Sequence, residues 1–504
     1  MAIVYLLLVA GALTTLYPFL VMVSTGLKGP TDQNDRRLSP RYLHEIGALS
    51  ADDLPDPAAL HGKYLDDKYA GNASLIASTR IGGASSREAV DAYVRLLEDL
   101  PPALWQAGFR TPANHVTSRL TMRYQAWLRG RFRTIDDLNR AYIEENVAFQ
   151  TVSPPNELLD RPGWRPPPGR KWEDWLVFKA TLPAEFRLPI RVQRVWQEFL
   201  RGRYQGNLDK VPPSLRGKAA AFEEIALAAP SPDPDVRTFY ATGLPEALRR
   251  DSVEARWRRD EPLPIAAHEA QVVRERAGEL RWEFATRNFR FIADYVAING
   301  RALWNTLVFC LLAVLVQLVV NPVAAYALSR YPIRASAKIL IFLLATMAFP
   351  AEVAMIPQFL LLRDLGLLNT FAALVLPAAA SGYMIFLLKG FFDSLPQELF
   401  ESGQIDGARE STMMLRIALP LSKPVLGYLA LLAFMGAYGA FLFAFLVAQD
   451  QRMWTLMVWL YQLQLTAPKA VIMAGLAMAA LPTLVVFLLA QRVIMRGIVL
   501  PGER

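Results

Sequence analysis

The chain has 504 residues, 53% of them hydrophobic and 20% charged, with 54 Lys+Arg against 46 Asp+Glu and a mean hydropathy of +0.21. That balance excludes a disordered, collagen-like or disulfide-stapled protein, and a single Cys (Cys310) excludes any multi-thiolate zinc or iron–sulfur site. The four histidines, His44, His61, His115 and His268, leave little material for a metal cluster, and the net charge of +8 has to be located before it means anything.

The charge is unevenly spread. Residues 1–27 carry none, residues 28–301 hold 41 basic and 37 acidic side chains, and residues 302–504 hold 13 and 9. The middle stretch, about 28% charged, is a water-soluble composition, whereas the last, at about 10%, suits lipid. The chain therefore reads as a first membrane helix at 1–27, an extra-membrane helical insert at 28–283 and a five-helix core at 284–504. The opening apolar run, 3–23, is near the roughly 20 residues that a helix needs to cross a bilayer. It has no basic n-region and no small-x-small cleavage pattern, so it reads as an uncleaved helix rather than a signal peptide.

The insert contains an internal repeat. Trp127-Leu-Arg-Gly-Arg-Phe132 recurs 72 residues later as Phe199-Leu-Arg-Gly-Arg-Tyr204. Thr134-Ile-Asp-Asp-Leu138 and Asn207-Leu-Asp-Lys-Val211 follow at an offset of 73, Gly206 being the inserted residue, and Phe149-Gln-Thr-Val152 is answered by Phe222-Glu-Glu-Ile225. Each copy, about 94–155 and 176–230, is predicted as a long helix ending in an aromatic, a turn, a short helix and a looped aromatic. Units of this kind stack to bury their faces together. The proline-rich 156–170 stretch connects them, and a degenerate third stretch at 245–257 with a charged helix at 269–282 leads back to the membrane. Asp136, Asp137, Glu144, Glu145, Glu223 and Glu224 read as solvated helix charges. Arg129, Arg131, Arg201 and Arg203 read as packing over aromatics and capping carbonyls, with anion binding as the alternative. Basic and acidic residues interleave throughout, so no nucleic-acid stripe exists.

Five further apolar runs follow, at 303–328, 339–362, 370–388, 425–447 and 470–490, giving six predicted spans. The loops at 329–338 and 389–424 and the tail carry ten basic residues, against three in the alternate loops. This bias puts both termini in the cytoplasm and 28–301 outside. Inside the runs, Glu352, Gln317, Asn321 and Tyr438 are candidate pore or substrate-path residues, because polar groups in lipid face a cavity or a partner; the alternatives are a helix-end position near the outer water for Glu352, interhelical hydrogen bonding for Gln317 and Asn321, and close helix packing for Tyr438. Trp454, Trp459 and Tyr461 are weaker candidates, the tryptophans reading equally as interfacial anchors.

The most informative segment is 398–424. It reads as helix, glycine break, helix and proline stop, with Gly407 allowing a turn or a close approach and Pro420 and Pro424 ending the second helix. Glu401, Gly407, Ile417, Leu419 and Pro420 fall at the spacing E-A-A, three residues, G, nine residues, I-x-L-P. Ser402 and Gly403 stand where the pattern has two alanines, and Asp406 and Ala408 flank the glycine. This resembles the EAA loop of ABC-importer permease subunits of the maltose-type, carbohydrate-uptake inner-membrane component family. The stretches Pro18-Phe-Leu-Val-Met-Val-Ser-Thr-Gly-Leu-Lys28, Asn305-Thr306, Ala324-Ala-Tyr-Ala-Leu-Ser-Arg330, Leu365-Gly-Leu-Leu-Asn-Thr370 and 487–497 are similar to the same family. The closing residues 498–504 depart from it, as does the insert, since this class has only a short connection after its first helix.

The resemblance implies an all-α membrane protein of six transmembrane helices in the type I ABC-importer permease fold, here with a mainly α-helical extracytoplasmic domain. It implies the pore-forming subunit of an ATP-driven importer, for sugars or oligosaccharides, in the bacterial cytoplasmic (inner) membrane. A second permease subunit, an ABC ATPase dimer and an extracytoplasmic solute-binding protein would be its partners. ATP and Mg would be bound by the ATPase, with no cofactor in this chain. The 398–420 loop would couple to the ATPase through Glu401, Ser402, Gly403, Asp406, Gly407, Ala408, Ile417, Leu419 and Pro420. No P-loop, G-x-S-x-G or H-E-x-x-H occurs, so the expected role is transport and not catalysis. The competing reading is a membrane-anchored glycan-binding or glycan-processing protein. It draws on the insert, whose aromatic-Leu-x-x-Arg motif weakly resembles a helical segment of β-galactosidase-like glycoside hydrolases. No eight β/α units or facing carboxylates accompany it.

Overall fold

The computed structural model describes residues 1–33, 35–47, 56–79, 85–110, 118–257, 259, 261–298, 301–346, 348 and 350–495. It is mostly helical and divides into two compact units, one made of Met1–Phe291 with Ala467–Ala474 and the other of Ile292–Thr466 with Gly475–Arg504.

In the first unit, the Ala2–Gly26 helix is apolar on every side and exposed until its last turn, where Ser24, Thr25 and Gly26 are buried. That turn is tied down by Asn288, whose Nδ2 donates to the carbonyls of Gly26 and Lys28 at 2.8 Å each. Beyond it lies a helical domain with one small antiparallel ribbon, in which Trp105, Gln106 and Ala107 pair with Pro189, Leu188 and Arg187.

Local sequence sets the helix starts. Ser86 and Ser118 accept from the backbone N–H three residues on, and Thr134 with Asp137 forms a complete capping box. The two copies of the repeat are built from matching contacts. Gln125 Nε2 donates to the carbonyls of Gln150 and Val152, and Gln197, 72 residues later, donates to those of Glu223 and Ile225. Tyr124 stacks with Trp127 at 6.2 Å and 12°, and Trp196 stacks with Phe199 at 5.8 Å and 16°. Each pair is closed by a phenylalanine from the next helix, Phe178 on Tyr124 and Phe239 on Trp196. Arg131 reaches Asp174, and Arg203 reaches Asp235, one turn before each of those phenylalanines. Burial of such rings is worth on the order of 2–3 kcal/mol each, so the aromatic ladder is the core of the domain.

Buried ion pairs cross this core. Lys63 meets Asp32 at 2.5 Å, and Lys68 meets Glu269, 201 residues away, at 2.6 Å with Tyr69 donating to the same oxygen. Burial works to raise the Glu269 carboxyl, but Lys68 and His268 more than reverse it and hold it at about 2, below its ordinary 4.5. A depressed carboxylate adds stability that is fully present above pH 4.5 and disappears as pH falls through 2. Acid titration of the wild-type chain is expected to remove on the order of 3 kcal/mol across that window. The Glu269→Gln variant, less stable at neutral pH, should show a flatter profile there. An equally steep acid limb in the variant would assign the loss to other carboxylates.

The second unit is built around the 29-residue Ala302–Arg330 helix, which packs against Gly382–Asp393 and Lys423–Gly439. Among the described residues three helices, Ala2–Gly26, Ala302–Arg330 and Lys469–Gln491, are long and apolar enough to cross a membrane, and up to five if each bent pair counts as one span. The bent pairs are Phe371–Ala378 with Gly382–Asp393, at 51°, and Glu410–Leu421 with Lys423–Gly439, at 82°. Six spans were expected; the run at 339–362 is the one that differs. It forms two helices, Ser336–Thr346 and Ala351–Asp364, with Pro350 capping the second and Pro357 inside it. Phe349, expected within that run, lies outside the described residues. The 51° bend holds Pro377, which lacks an N–H for the helical ladder. A Cβ on Gly382 would lie 2.4 Å from the Leu343 carbonyl oxygen, so only glycine lets these two helices approach there.

Candidate functional site: the coupling loop and the membrane cavity

The 398–424 segment opens with the Glu398–Ile405 helix, in which Gln397 Nε2 donates to Glu401 Oε1 at 2.8 Å. Gly407 ends it at φ +73°. Its N–H bonds the Gln404 carbonyl at 3.0 Å, and the Ala408 N–H bonds that of Gly403 at 2.9 Å. Those two bonds are the Schellman closure, which calls for glycine at the left-handed position. No heavy atom lies within 4 Å of a Cβ built on Gly407, so within this chain the glycine serves the turn and not a close approach.

The second arm runs through Glu410–Met413, a widened π turn at Met414–Ala418 and the short Leu419–Leu421 helix. Pro420 has no N–H to offer the Arg416 carbonyl, and the ladder slips to wider spacing before it. Ser422 Oγ donates to the Ala418 carbonyl at 2.7 Å at the following bend. Pro420 and Pro424 were expected to end this arm. Pro424 instead stands in the first turn of Lys423–Gly439, where a missing N–H costs nothing.

Phe400, Met413 and Ala418 anchor the loop in a buried cluster with Tyr326, Leu388 and Phe392. The Arg330 guanidinium lies 3.7 Å from the centre of the Phe400 ring, and Tyr326 Oη donates to Glu410 Oε2 at 3.1 Å. Gly403, Ala408, Ile417 and Leu419 are half-buried against this frame. Glu401, Ser402, Asp406, Gly407 and Pro420 are exposed, and Ile405 is 87% exposed. The loop is thus a rigid two-arm projection with an apolar knob at the end of its first helix.

In the membrane core, Gln317 lines a cavity of about 510 Å³ together with Phe309, Met355, Gln358, Ser381 and Met384. The other three candidates do not line that cavity. Asn321, fully buried, donates to the Gln317 carbonyl and accepts from the Ser381 N–H at 2.8 Å, so it satisfies the backbone where the 371–393 pair bends. Tyr438 Oη donates to the Ala479 carbonyl, and its ring lines a separate apolar cavity of about 720 Å³ with Phe434 and Phe487. Glu352 is exposed in the first turn of its helix, where the dipole favours a carboxylate. Gln358 and Ser381 escaped the sequence reading; each sits within one residue of a helix disruptor, Pro357 or Gly382. Of the aromatic candidates, Trp454 is half-buried, Trp459 packs on Tyr295 at 5.0 Å, and Tyr461 touches Phe441 and Phe445.

Some of the insert carboxylates expected to be solvated are instead engaged by other side chains. Asp137 Oδ2 accepts from the Thr134 N–H and hydroxyl, Glu144 pairs with Lys171 at 2.6 Å, and Glu223 pairs with Arg201 at 2.5 Å. Among the described residues no group of three His, Cys, Asp or Glu side chains could hold a metal ion.

Comparison with known proteins bears on the core. Residues 303–499 match the family described as binding-protein-dependent transport system inner membrane component. The sn-glycerol-3-phosphate transport system permease protein UgpE of Rhizobium meliloti (strain 1021) is 33% identical over 205 residues, 40% of this chain and 72% of that protein. The probable ABC transporter permease protein YurM of Bacillus subtilis (strain 168) is 31% identical over 198 residues, 38% of this chain and 66% of its own length. The arabinooligosaccharides transport system permease protein AraQ of the same organism is 27% identical over 221 residues, 43% of this chain and 78% of that protein. The matched region contains both the two-arm loop at 398–424 and the 510 Å³ cavity. The chain belongs to the binding-protein-dependent transport system inner membrane component family.

Proposed function

We propose that this chain is the pore-forming subunit of an ATP-driven importer of sugars or oligosaccharides. It would work in the cytoplasmic membrane with a second permease subunit, an ATPase dimer that binds ATP and Mg, and an external solute-binding protein. The observation that carries the reading is the 398–420 projection, in which the spaced motif residues divide into a half-buried set and an exposed face. Glu401, Ser402, Asp406 and Gly407 would meet the ATPase beside the Ile405 knob, while Gly403, Ala408, Ile417 and Leu419 hold the arms together. Closure of the ATPase dimer would then shift the loop as one body, and the cavity at Gln317 would alternate between the two sides of the membrane. A sugar substrate is supported by the name of AraQ, an arabinooligosaccharides transport system permease protein, whereas that of UgpE points to sn-glycerol 3-phosphate. In this reading the interrupted 339–362 run still counts as one crossing, so that six spans place both termini inside and residues 28–301 outside.

The test is co-purification and uptake in proteoliposomes holding the partner permease, the ATPase and the binding protein. Ile405→Asp should reduce ATPase retention at least tenfold and abolish ATP-driven uptake. Full retention and uptake in that variant would reject the loop as the docking element.

A further inference from the structure

The insert holds a polar cavity of about 280 Å³, just under the roughly 300–1,000 Å³ of small-molecule sites. Unlike the two cavities of the core it is lined mainly by polar side chains, among them Arg191, Gln193, Glu223, Glu254 and Arg259, with Trp257 as the aromatic wall. Its construction is particular to the second copy of the repeat. In the first copy the Arg119–Arg131 helix is capped locally by Ser118. In the second, Arg191 stands at the cap position of Val192–Arg203 without a side-chain cap, and a carboxylate 61 residues away takes over, Glu254 Oε1 accepting from the Gln193 N–H at 3.4 Å.

The counterpart residues show that the fold does not require this arrangement. Arg119, 72 positions before Arg191, is 8% exposed over the Phe109 ring and paired with Glu185 and Glu283. Thr121, at the position of Gln193, has its hydroxyl engaged by Ser118. In the second copy the same space is open. The second oxygen of Glu254, Oε2, is buried without a hydrogen-bond partner among the described residues. Burial raises this carboxyl from its ordinary value. An orphaned carboxylate oxygen at a cavity wall is costly unless something supplies a donor.

The other groups define what that something is. Arg191 donates to Ser78, Arg259 pairs with Glu261 at 3.2 Å, and Glu223 is held by Arg201. The lining charges are two guanidinium groups against two carboxylates, which gives no preference for an ionic ligand. Donor-bearing Arg191, Gln193 and Arg259 and acceptor-bearing Glu223 and Glu254 line the cavity together with the Trp257 indole, a set that suits a ring with hydroxyl edges and a C–H face. We propose that this cavity is a binding site for a small, neutral, polyhydroxylated solute of the monosaccharide class. Its use in uptake rests on the permease reading, with the insert facing outward; binding itself does not.

The test is calorimetric titration of the detergent-purified full chain, without partners, using D-glucose and L-arabinose, with sn-glycerol 3-phosphate as the anionic comparison. At least one sugar should bind saturably at one site, and Gln193→Trp, which fills the cavity while keeping the backbone N–H that Glu254 caps, should weaken it at least tenfold. Arg259→Ala, on the exposed rim, should weaken it about threefold or more, and guards against a folding defect in the first variant. Binding that is absent for both sugars, seen only for sn-glycerol 3-phosphate, or unchanged in both variants would overturn the proposal. A chain that binds sugar here yet supports no ATP-driven uptake would instead count against the permease reading alone.

Discussion

Replacing Gly407 with valine is expected to cut ATP-driven uptake at least tenfold while leaving membrane insertion and ATPase binding in place. The reason is backbone geometry. Gly407 sits at φ +73° and closes the first arm through two bonds, 3.0 Å from its N–H to Gln404 and 2.9 Å from Ala408 to Gly403. A left-handed conformation costs an L-residue roughly 1–2 kcal/mol, most for a β-branched one. Valine would relieve that by opening the turn, and the two arms would no longer move as one body. The exposed helix would still carry Glu401 and Ile405, so docking survives while transmission fails. Gly407→Asn separates the backbone from the space around it, because asparagine tolerates the left-handed region. Retained uptake in the asparagine variant places the requirement in the turn; loss in both variants places it in a surface that closes over the loop. Undiminished uptake with valine would sink the coupling assignment.

The legibility of this loop has a physical basis. A left-handed turn selects Gly407, a missing N–H marks Pro420, and the fixed spacing between them leaves a trace that one sequence carries unaided. The run at 339–362 shows the opposite case. A hydropathy window averages across Pro350 and Pro357, so two short helices look like one span. Asn321 and Gln317 were read together, as pore-lining or as hydrogen-bonding between helices, and each reading holds for one of them: Gln317 borders the cavity, while Asn321, one turn on, serves the neighbouring backbone. The two are four residues apart and share a helix face, so which of them meets the void depends on depth along the helix, a separation of about 6 Å, and on where the neighbouring helix breaks, neither of which the pattern of an apolar helix records.

The insert repeats the lesson at longer range. Its 72-residue period was visible in Trp127 and Phe199 because aromatic-Leu-Arg-Gly-Arg is rare enough to recognise twice. The phenylalanines that close each stack follow another offset: Phe178-Lys-Ala-Thr-Leu-Pro183 is answered by Phe239-Tyr-Ala-Thr-Gly-Leu-Pro245, with Gly243 accommodated in a π turn. Each stack is therefore completed by the start of the next unit, so the third stretch at 245–257 is the continuation of an interlocked series rather than an isolated helix. Pairings such as Lys68–Glu269 carry no local signature at all, since nothing near Lys68 in sequence announces a partner 201 residues away.

Glu157→Ala is expected to destabilise the insert by about 3–5 kcal/mol, the cost of leaving a buried charge without its partner. Glu157 lies in the proline-rich connector and is fully buried, as is Lys179, whose Nζ it meets at 2.8 Å. The same carboxylate accepts from Trp175 Nε1 at 2.9 Å and from the Ala107 N–H at 3.2 Å, linking connector, helix and ribbon. Lys179 also donates to the Pro102 and Trp105 carbonyls at 2.7 Å each, and those bonds remain in the variant without a counter-charge. Burial already pushes the Lys179 amine below its ordinary 10.5 against the pull of Glu157. Removing Glu157 deepens that depression, so between the folded value and 10.5 the unfolded chain binds more protons than the folded one. Stability of the variant should therefore climb as pH rises toward 10.5 more steeply than that of the wild type. The pair Glu157→Gln with Lys179→Met removes both charges and should recover at least half of the loss, as exchange of a buried ion pair for neutral groups usually does. Urea titration of the full chain in detergent, followed by Trp fluorescence, reads all three variants, with Trp105 and Trp175 adjacent to the change. A loss under about 1 kcal/mol for Glu157→Ala, the range of an exposed pair, would show that the connector is not the brace between the two copies.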